Sequence, residues 1–276
     1  MRLILRSAAV SFALAAVATL AACGGGSSNS KSANAPASSP QSAGALTFCT
    51  DTTYPPMESL QGGKAVGADV DIADALAKLQ GKTARIKTTG FDVIIPSLLH
   101  KKCDAIISSL TDNAERRKQV DFADYVTVGA LLMVKKGNPA HVTDLASLSG
   151  KSVAVQSSTT EKDALDAENK TLAAAGKPKI TIKIFPADTN AAAALQTGHV
   201  DVYFADATPV DYYIKKTGGK FQVAGKQLMT APEGIATRKG DPLGAKFKNG
   251  IAKLYANGTI KRILAKWGVS QFALKS

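Results

Sequence analysis

The 276-residue sequence predicts an α/β fold of two lobes, each a mainly parallel sheet flanked by helices. Short apolar runs alternate with helix-period segments, and the order β-α-β-α-β occurs twice. Composition agrees, with 45% hydrophobic and 20% charged residues, the balance of an ordinary globular chain. The length suffices for one large domain or two modest ones, each with its own core.

The strand candidates are 46–50, 85–88, 104–108, 131–135, 152–156, 180–185 and 200–205. Between the first two, DVDIADALAKLQG places Ile72, Leu76 and Leu79 at i, i+4 and i+7 and ends on Gly81, which predicts a helix. Further helices are expected at 91–99, 157–174 and 189–197. A long amphipathic one is expected at 242–267, with Phe247, Ile251, Leu254, Ile260, Ile263, Leu264 and Trp267 on one side. In SSLTDNAERRKQVDF, Asp112 or Asn113 can cap a helix, and Glu115 fits a capping box with Asp112.

The amino terminus reads as an export address. Arg2 and Arg6 precede an uncharged run of small and apolar residues, Ala8 to Ala22, too short for a spanning helix. Residues 1–22 are therefore expected to be a signal peptide. Leu20-Ala21-Ala22-Cys23 resembles a bacterial lipobox, which implies a thioether-linked lipid on Cys23. The stretch that follows, to residue 44, is Gly, Ser, Asn, Ala and Pro with one Lys. Such a stretch buries no apolar surface and forms a flexible tether with a reach of roughly 25 Å.

Removing Arg2 and Arg6 lowers the net charge of +12 by two, to +10. The lysines are scattered, and neither aromatic-basic interleaving nor zinc-ligand spacing accompanies them, so nucleic acid is excluded as a partner. His100, His141 and His199 are isolated, so no metal and no cofactor is expected. Beyond Cys23 only Cys49 and Cys103 remain. They form one bridge in an oxidising compartment if their strands are neighbours, or stay as two buried thiols.

Ligands of open α/β sheets sit beyond the carboxyl ends of the strands. Here the strand candidates exit into Asp51-Thr52-Thr53-Tyr54, Ser109-Leu110-Thr111-Asp112, Ser157-Ser158-Thr159-Thr160 and Asp206. Hydroxyls, carboxylates and one aromatic at these exits describe a polar small-molecule site between two lobes. Arg116 lies close to Ser109 and Thr111 in sequence. Its guanidinium is a planar fork that matches a carboxylate with two hydrogen bonds, which a lysine cannot do.

The segments TDTTYPPME, GADVDIADALAK, FDVIIPSLLHKKCDAIISSLTDNAERRKQVDF, VAVQSSTT and GHVDVYFADATPVDYY, in this order from about residue 45 to 270, resemble the extracellular solute-binding proteins of the polar amino-acid family, family 3. These serve ABC uptake transporters and include histidine-, lysine/arginine/ornithine- and glutamine-binding proteins. The resemblance implies a type II periplasmic-binding fold, with lobe 1 at 45–130 and 231–276, lobe 2 at 131–230, and crossings near 128–134 and 226–233. It implies that Arg116 pairs with the ligand α-carboxylate, helped by Thr160 and Thr159, and that Asp206 pairs with the α-ammonium. Ser109 and Thr111 bond the head group, Tyr54 and Phe91 sandwich the apolar part, and Asp51 reads the side chain. Two departures stand out: Gly67-Ala68-Asp69 where the family has Gly-aromatic-Asp, and Ser158-Thr159 where it has Gly-Thr.

The expected function is a monomeric, lipid-anchored binding protein in the periplasm or at the cell surface. It closes its lobes on a polar or basic amino acid and docks on an ABC permease. Asp51, together with Glu161 placed near the distal end of the ligand, favours a cationic side chain. The alternatives on the same fold are an enzyme resembling cyclohexadienyl dehydratases, with Glu161 as its general acid, and a ligand-sensing module.

Overall fold

The computed structural model describes residues 44–274. The expected signal peptide 1–22, the lipidation site Cys23 and tether residues up to 43 lie outside the described residues. Among the described residues no helix is long and apolar enough to cross a membrane.

In chain order the elements begin β1 (Ala45–Thr50), β2 (Thr53–Tyr54), β3 (Glu58–Gln61), β4 (Lys64–Val66), α1 (Ala68–Lys78), β5 (Thr83–Thr88), α2 (Ile94–Leu99), β6 (Ala105–Ile106) and α3 (Ala114–Arg117). Then come β7 (Val120–Lys135), β8 (Ser152–Gln156), α4 (Thr160–Ala174), β9 (Thr181–Phe185), α5 (Asp188–Gln196), β10 (Val202–Asp206), α6 (Ala207–Lys216), β11 (Phe221–Arg238), α7 (Pro242–Ala256) and α8 (Thr259–Trp267).

The main sheet runs in the order β5-β1-β6-β11-β7-β10-β8-β9. β5, β1 and β6 are parallel, as are β10, β8 and β9. Parallel strands covered on both faces read as nearly continuous apolar runs, and β10 is buried at every residue. The two long strands, β7 and β11, are antiparallel and serve both lobes: β11 meets β6 at Ala236, and β7 meets β10 over residues 130–134. Between these points their register shifts three times, from Ala224 to Gly234 of β11. The expected crossings at 128–134 and 226–233 fall on these two strands.

β1 lies between β5 and β6, and its Leu46, Phe48 and Cys49 are all buried. Phe48 meets Phe247 of α7 with ring centroids 5.7 Å apart. On α1, Ile72 and Leu76 are buried, but Leu79 caps the helix end and is 47% exposed. Cys49 is joined to Cys103 by a disulfide, with Cα atoms 5.7 Å apart. The bridge ties β1 to the loop that leads into its neighbour β6.

Several expectations are corrected. The helix at 242–267 is two helices, because Gly258 takes a left-handed φ of 73° that no α-helix continues through. The cap of α3 is Asn113, whose Oδ1 accepts from the Arg116 N–H at 2.9 Å. Asp112 instead pairs with Arg117, and Glu115 with Lys118, so there is no capping box. The hairpin sheet of β2, β3 and β4 carries Tyr54 and was not foreseen, nor were most of β7 and all of β11.

Candidate functional site

All nine expected binding residues line one small cavity between the lobes: Asp51, Tyr54, Phe91, Ser109, Thr111, Arg116, Thr159, Thr160 and Asp206. Glu58, Ser108, Gln156 and Glu161 complete the wall. The free space is about 10 Å³, the room of about one water molecule. A larger hollow of about 940 Å³ lies between β7 and α7 and shares none of these residues. Size therefore does not single out the site; the convergence of charged groups does.

From the first lobe, Asp51 and Tyr54 follow β1, and Ser109 and Thr111 follow β6. Asp69 on α1 fixes that second exit. Its carboxylate accepts from the Ser109 N–H at 2.9 Å and from the Tyr125 hydroxyl at 2.7 Å. Arg116 is 9% exposed and lies with Cζ 5.5 Å from the centre of the Phe91 ring. It donates to the Thr111 carbonyl at 2.9 Å and, across the cleft, to the Ser158 carbonyl at 3.2 Å.

From the second lobe, Thr159 caps α4, accepting from the Lys162 N–H and donating to the Gln156 carbonyl. Ser158 holds a φ of 62°, the left-handed region where the resemblance expects glycine. Asp206 ends β10, and its Oδ2 accepts from the Tyr54 hydroxyl at 2.8 Å. Gln156 donates from Nε2 to Asp51 Oδ2 at 2.5 Å, and the Asp188 N–H donates to Thr53 Oγ1 at 3.1 Å. With the Asp206 N–H, which donates to the Tyr54 hydroxyl at 3.2 Å, five hydrogen bonds join the lobes around the cavity.

Carboxyls outnumber cations here. Asp51, Glu58, Asp69, Glu161, Asp188, Asp206 and Glu233 are all buried, while Arg116 is the one buried cation among the described residues. Burial raises the pKa of each carboxyl. Asp69 is pushed up to about 6 and Asp188 to about 8, both chiefly by loss of water. Glu58 is raised further by its neighbour Asp69, and Glu161 by Asp206. Burial lowers the pKa of Arg116, and Glu161 and Asp206 push it back up.

A pH dependence of stability follows. These folded-state carboxyls hold protons that the unfolded chain releases near pH 4. Their contribution is complete below that pH and is lost as pH rises through the raised values. The melting temperature of the ligand-free protein is expected to fall by several degrees from pH 5 to pH 8, read by calorimetry. Asp188→Asn should flatten the part of this slope above pH 6. A rising melting temperature over the same interval would contradict the assignment.

Three wall residues were missed in the sequence: Glu58, Ser108 and Gln156. Ser108 and Gln156 are the last positions of the strand candidates 104–108 and 152–156, one residue before the exits that were read. A rule that included the final strand residue would have found them. Glu58 gave no such signal; Ser108 donates to its Oε1 at 2.9 Å. Glu161 was placed near Asp51, at the distal end of the ligand. Its buried carboxyl, on the second residue of α4, shares the cavity wall with Asp206, whose charge raises its pKa.

Comparison with known proteins agrees with this geometry. The L-cystine-binding protein TcyJ of Escherichia coli K12 is 30% identical over 228 residues, covering 81% of this chain and 82% of TcyJ. The structure of an ancestral arginine-binding protein bound to arginine superposes with a TM-score of 0.74 at 34% identity, covering 82% of this chain and 99% of that one. The ancestral amino acid-binding protein AncCDT-1, a precursor of cyclohexadienyl dehydratase, superposes with a TM-score of 0.73 at 32% identity, covering 81% and 95%. The family model of the bacterial extracellular solute-binding proteins, family 3, matches residues 46–270. Two lobes joined by two long shared strands, with one guanidinium and a set of carboxyls facing each other across the cleft, are therefore the frame of a solute-binding protein, and the chain belongs to the bacterial extracellular solute-binding proteins, family 3.

Proposed function

We propose that the chain is the binding component of an ABC amino-acid uptake transporter, holding one polar or basic L-amino acid between its lobes. One observation carries this reading: Arg116 of the first lobe and Asp206 of the second line the same buried cavity. A zwitterion needs a cation and an anion a few ångströms apart, and buried charges must be paired to offset lost hydration. Arg116 then binds the α-carboxylate with help from Thr159 and Thr160, and Asp206 binds the α-ammonium. Ser109 and Thr111 add head-group bonds, and Tyr54 and Phe91 flank the carbon chain.

The surplus of buried carboxyls favours a cationic side chain, with Asp51 and Gln156 at the distal wall. The present cavity is too small for any amino acid, so entry requires the lobes to part and the five bridging hydrogen bonds to break. We assign lobe 1 to residues 45–130 and 231–276 and lobe 2 to 131–230. The liganded, monomeric form docks on the permease, tethered to the membrane by a lipid on Cys23.

A thermal-shift screen of the chain from residue 24 against the twenty amino acids and ornithine tests this. Arginine, lysine or ornithine is expected to raise the melting temperature, increasingly with concentration, by about 2.7 kcal/mol of stability at a hundredfold excess over Kd. No shift with any amino acid would reject the reading. The enzyme alternative has one feature in its favour, Glu161, buried in the cavity wall with its pKa raised chiefly by loss of water. Cyclohexadienyl acids in the same screen test it, with turnover to an aromatic product read by ultraviolet absorbance.

A further inference from the structure

Glu161 is 3% exposed, and its Oε1 is buried and accepts no hydrogen bond from any N–H or hydroxyl of the described residues. Its Oε2 meets the Thr160 hydroxyl at 3.2 Å. Glu161 shares the wall of the small cavity with Asp206, whose charge raises its pKa, and Glu233 of β11, 1% exposed, also has both oxygens without an N–H or hydroxyl donor. The nearby guanidinium does not resolve this. Arg116 spends its hydrogen bonds on the carbonyls of Thr111 and Ser158 rather than on a carboxylate.

Adjacent carboxylates in a space with little water cannot both ionise without a cation between them. A single shared proton satisfies them, with one carboxyl donating to the other. We infer that ligand capture is an exchange: the incoming ammonium takes the place of a proton shared by Glu161 and Asp206, and that proton leaves to solvent. The carboxyl O–H bond breaks, its electron pair stays on the oxygen and the proton passes to water, while the ammonium enters with all its N–H bonds intact. An ammonium offers three N–H donors, enough to serve Asp206 and the unpartnered Oε1 of Glu161 together. Glu161 is thereby a second ammonium acceptor, which the sequence reading had placed at the other end of the ligand.

The groups facing this pair set the direction of the effect. Arg116 of α3 favours ionised carboxylates, and the Tyr54 hydroxyl of β2 stabilises Asp206 in that form. Glu233 of β11 also favours the ionised form of Asp206; loss of water on burial is the main opposition to ionising either carboxyl. The two carboxyls outnumber the one cation, so the proton stays until the ammonium arrives. Affinity should therefore be highest at alkaline pH and weaken as pH falls. The inference rests on the cavity being an amino-acid site, and the experiment separates the two claims.

Titration calorimetry of the chain from residue 24 with L-arginine, and with L-glutamine as a second probe, is done from pH 5.5 to 8.5. Two buffers of different ionisation enthalpy are used at each pH. The difference in heat between buffers counts protons. About one proton released per ligand is expected where the pair is protonated, with affinity falling up to tenfold per pH unit below that. Glu161→Gln should still bind, but with the release abolished and the pH profile flattened. Glu161→Asp should keep the release with a shifted midpoint. A purely structural Glu161 would leave the proton count unchanged. Binding with no proton released by the unsubstituted protein, or with equal release in Glu161→Gln, overturns the inference while the site reading stands. Should Glu161→Gln fail to fold, an unshifted pH profile in Glu161→Asp overturns it equally. Absence of binding by either probe and by every amino acid in the thermal screen removes the site reading, and the inference with it.

Discussion

Arg116→Ala is expected to reduce amino-acid affinity by at least a hundredfold while leaving the fold intact. The guanidinium is the only buried cation among the described residues, and the cavity around it is rich in carboxyls. Without it a ligand carboxylate would enter a water-poor space facing Glu161 and Asp206, with no positive partner. Removing one member of a buried charge pair costs about 3–5 kcal/mol, which is the basis of the expected loss. The fold should survive, because Arg116 anchors no core cluster and its hydrogen bonds reach only two loop carbonyls. Calorimetric binding and circular dichroism on the same sample separate the two effects. Arg116→Lys should fall between, since the charge remains but the fork is lost. Unchanged affinity in the alanine variant would show that the cavity is not organised around this residue.

The largest effect on stability is expected at Gly67, which has no contact with the cavity. Its φ of 142° and ψ of 175° lie in a region open essentially to glycine alone. A Cβ there would sit 2.0 Å from the Met57 carbonyl oxygen. That oxygen is already occupied, accepting from the Asp69 N–H at 2.9 Å. Gly67→Ala must therefore push the β3 turn away from α1 and break the bond that holds Asp69. Asp69 in turn positions Ser109 and Tyr125, so the disturbance reaches the cavity floor. A loss of roughly 3 kcal/mol or more is expected, the range of backbone strain combined with a disrupted buried polar network. Chemical denaturation would measure it, and a loss below about 1 kcal/mol would mean that the turn relaxes freely.

Legibility was uneven along the chain, for physical reasons. Strands buried on both faces announce themselves by composition, and β1, β8 and β10 appear within one or two residues of their expected places. Helix α1 ends at Lys78, about two residues before the expected stop at Gly81, with the exposed Leu79 as its C-cap. Residues 120–130 of β7 and all of β11 stayed hidden because they carry charges and turn residues. Asp121 and Asp124 interrupt the first, and Gly225, Pro232 and Gly234 the second. These residues are tolerated since the two strands are paired with each other and bend where the lobes join.

Local chemistry written in the chain sufficed for the alternation of strands and helices and for the polar strand exits, while the paired roles expected of Arg116 and Asp206 came from the resemblance to a known family. The first two depend on residue type and near neighbours, which a linear reading contains. Tertiary structure alone decided that Gln156 reaches Asp51 over 105 positions and that Tyr54 reaches Asp206 over 152. It also decided that Glu161 shares the wall of one small cavity with Asp206. Such contacts depend on how two lobes approach in space, and that approach is set by strand register and helix packing summed over the whole molecule.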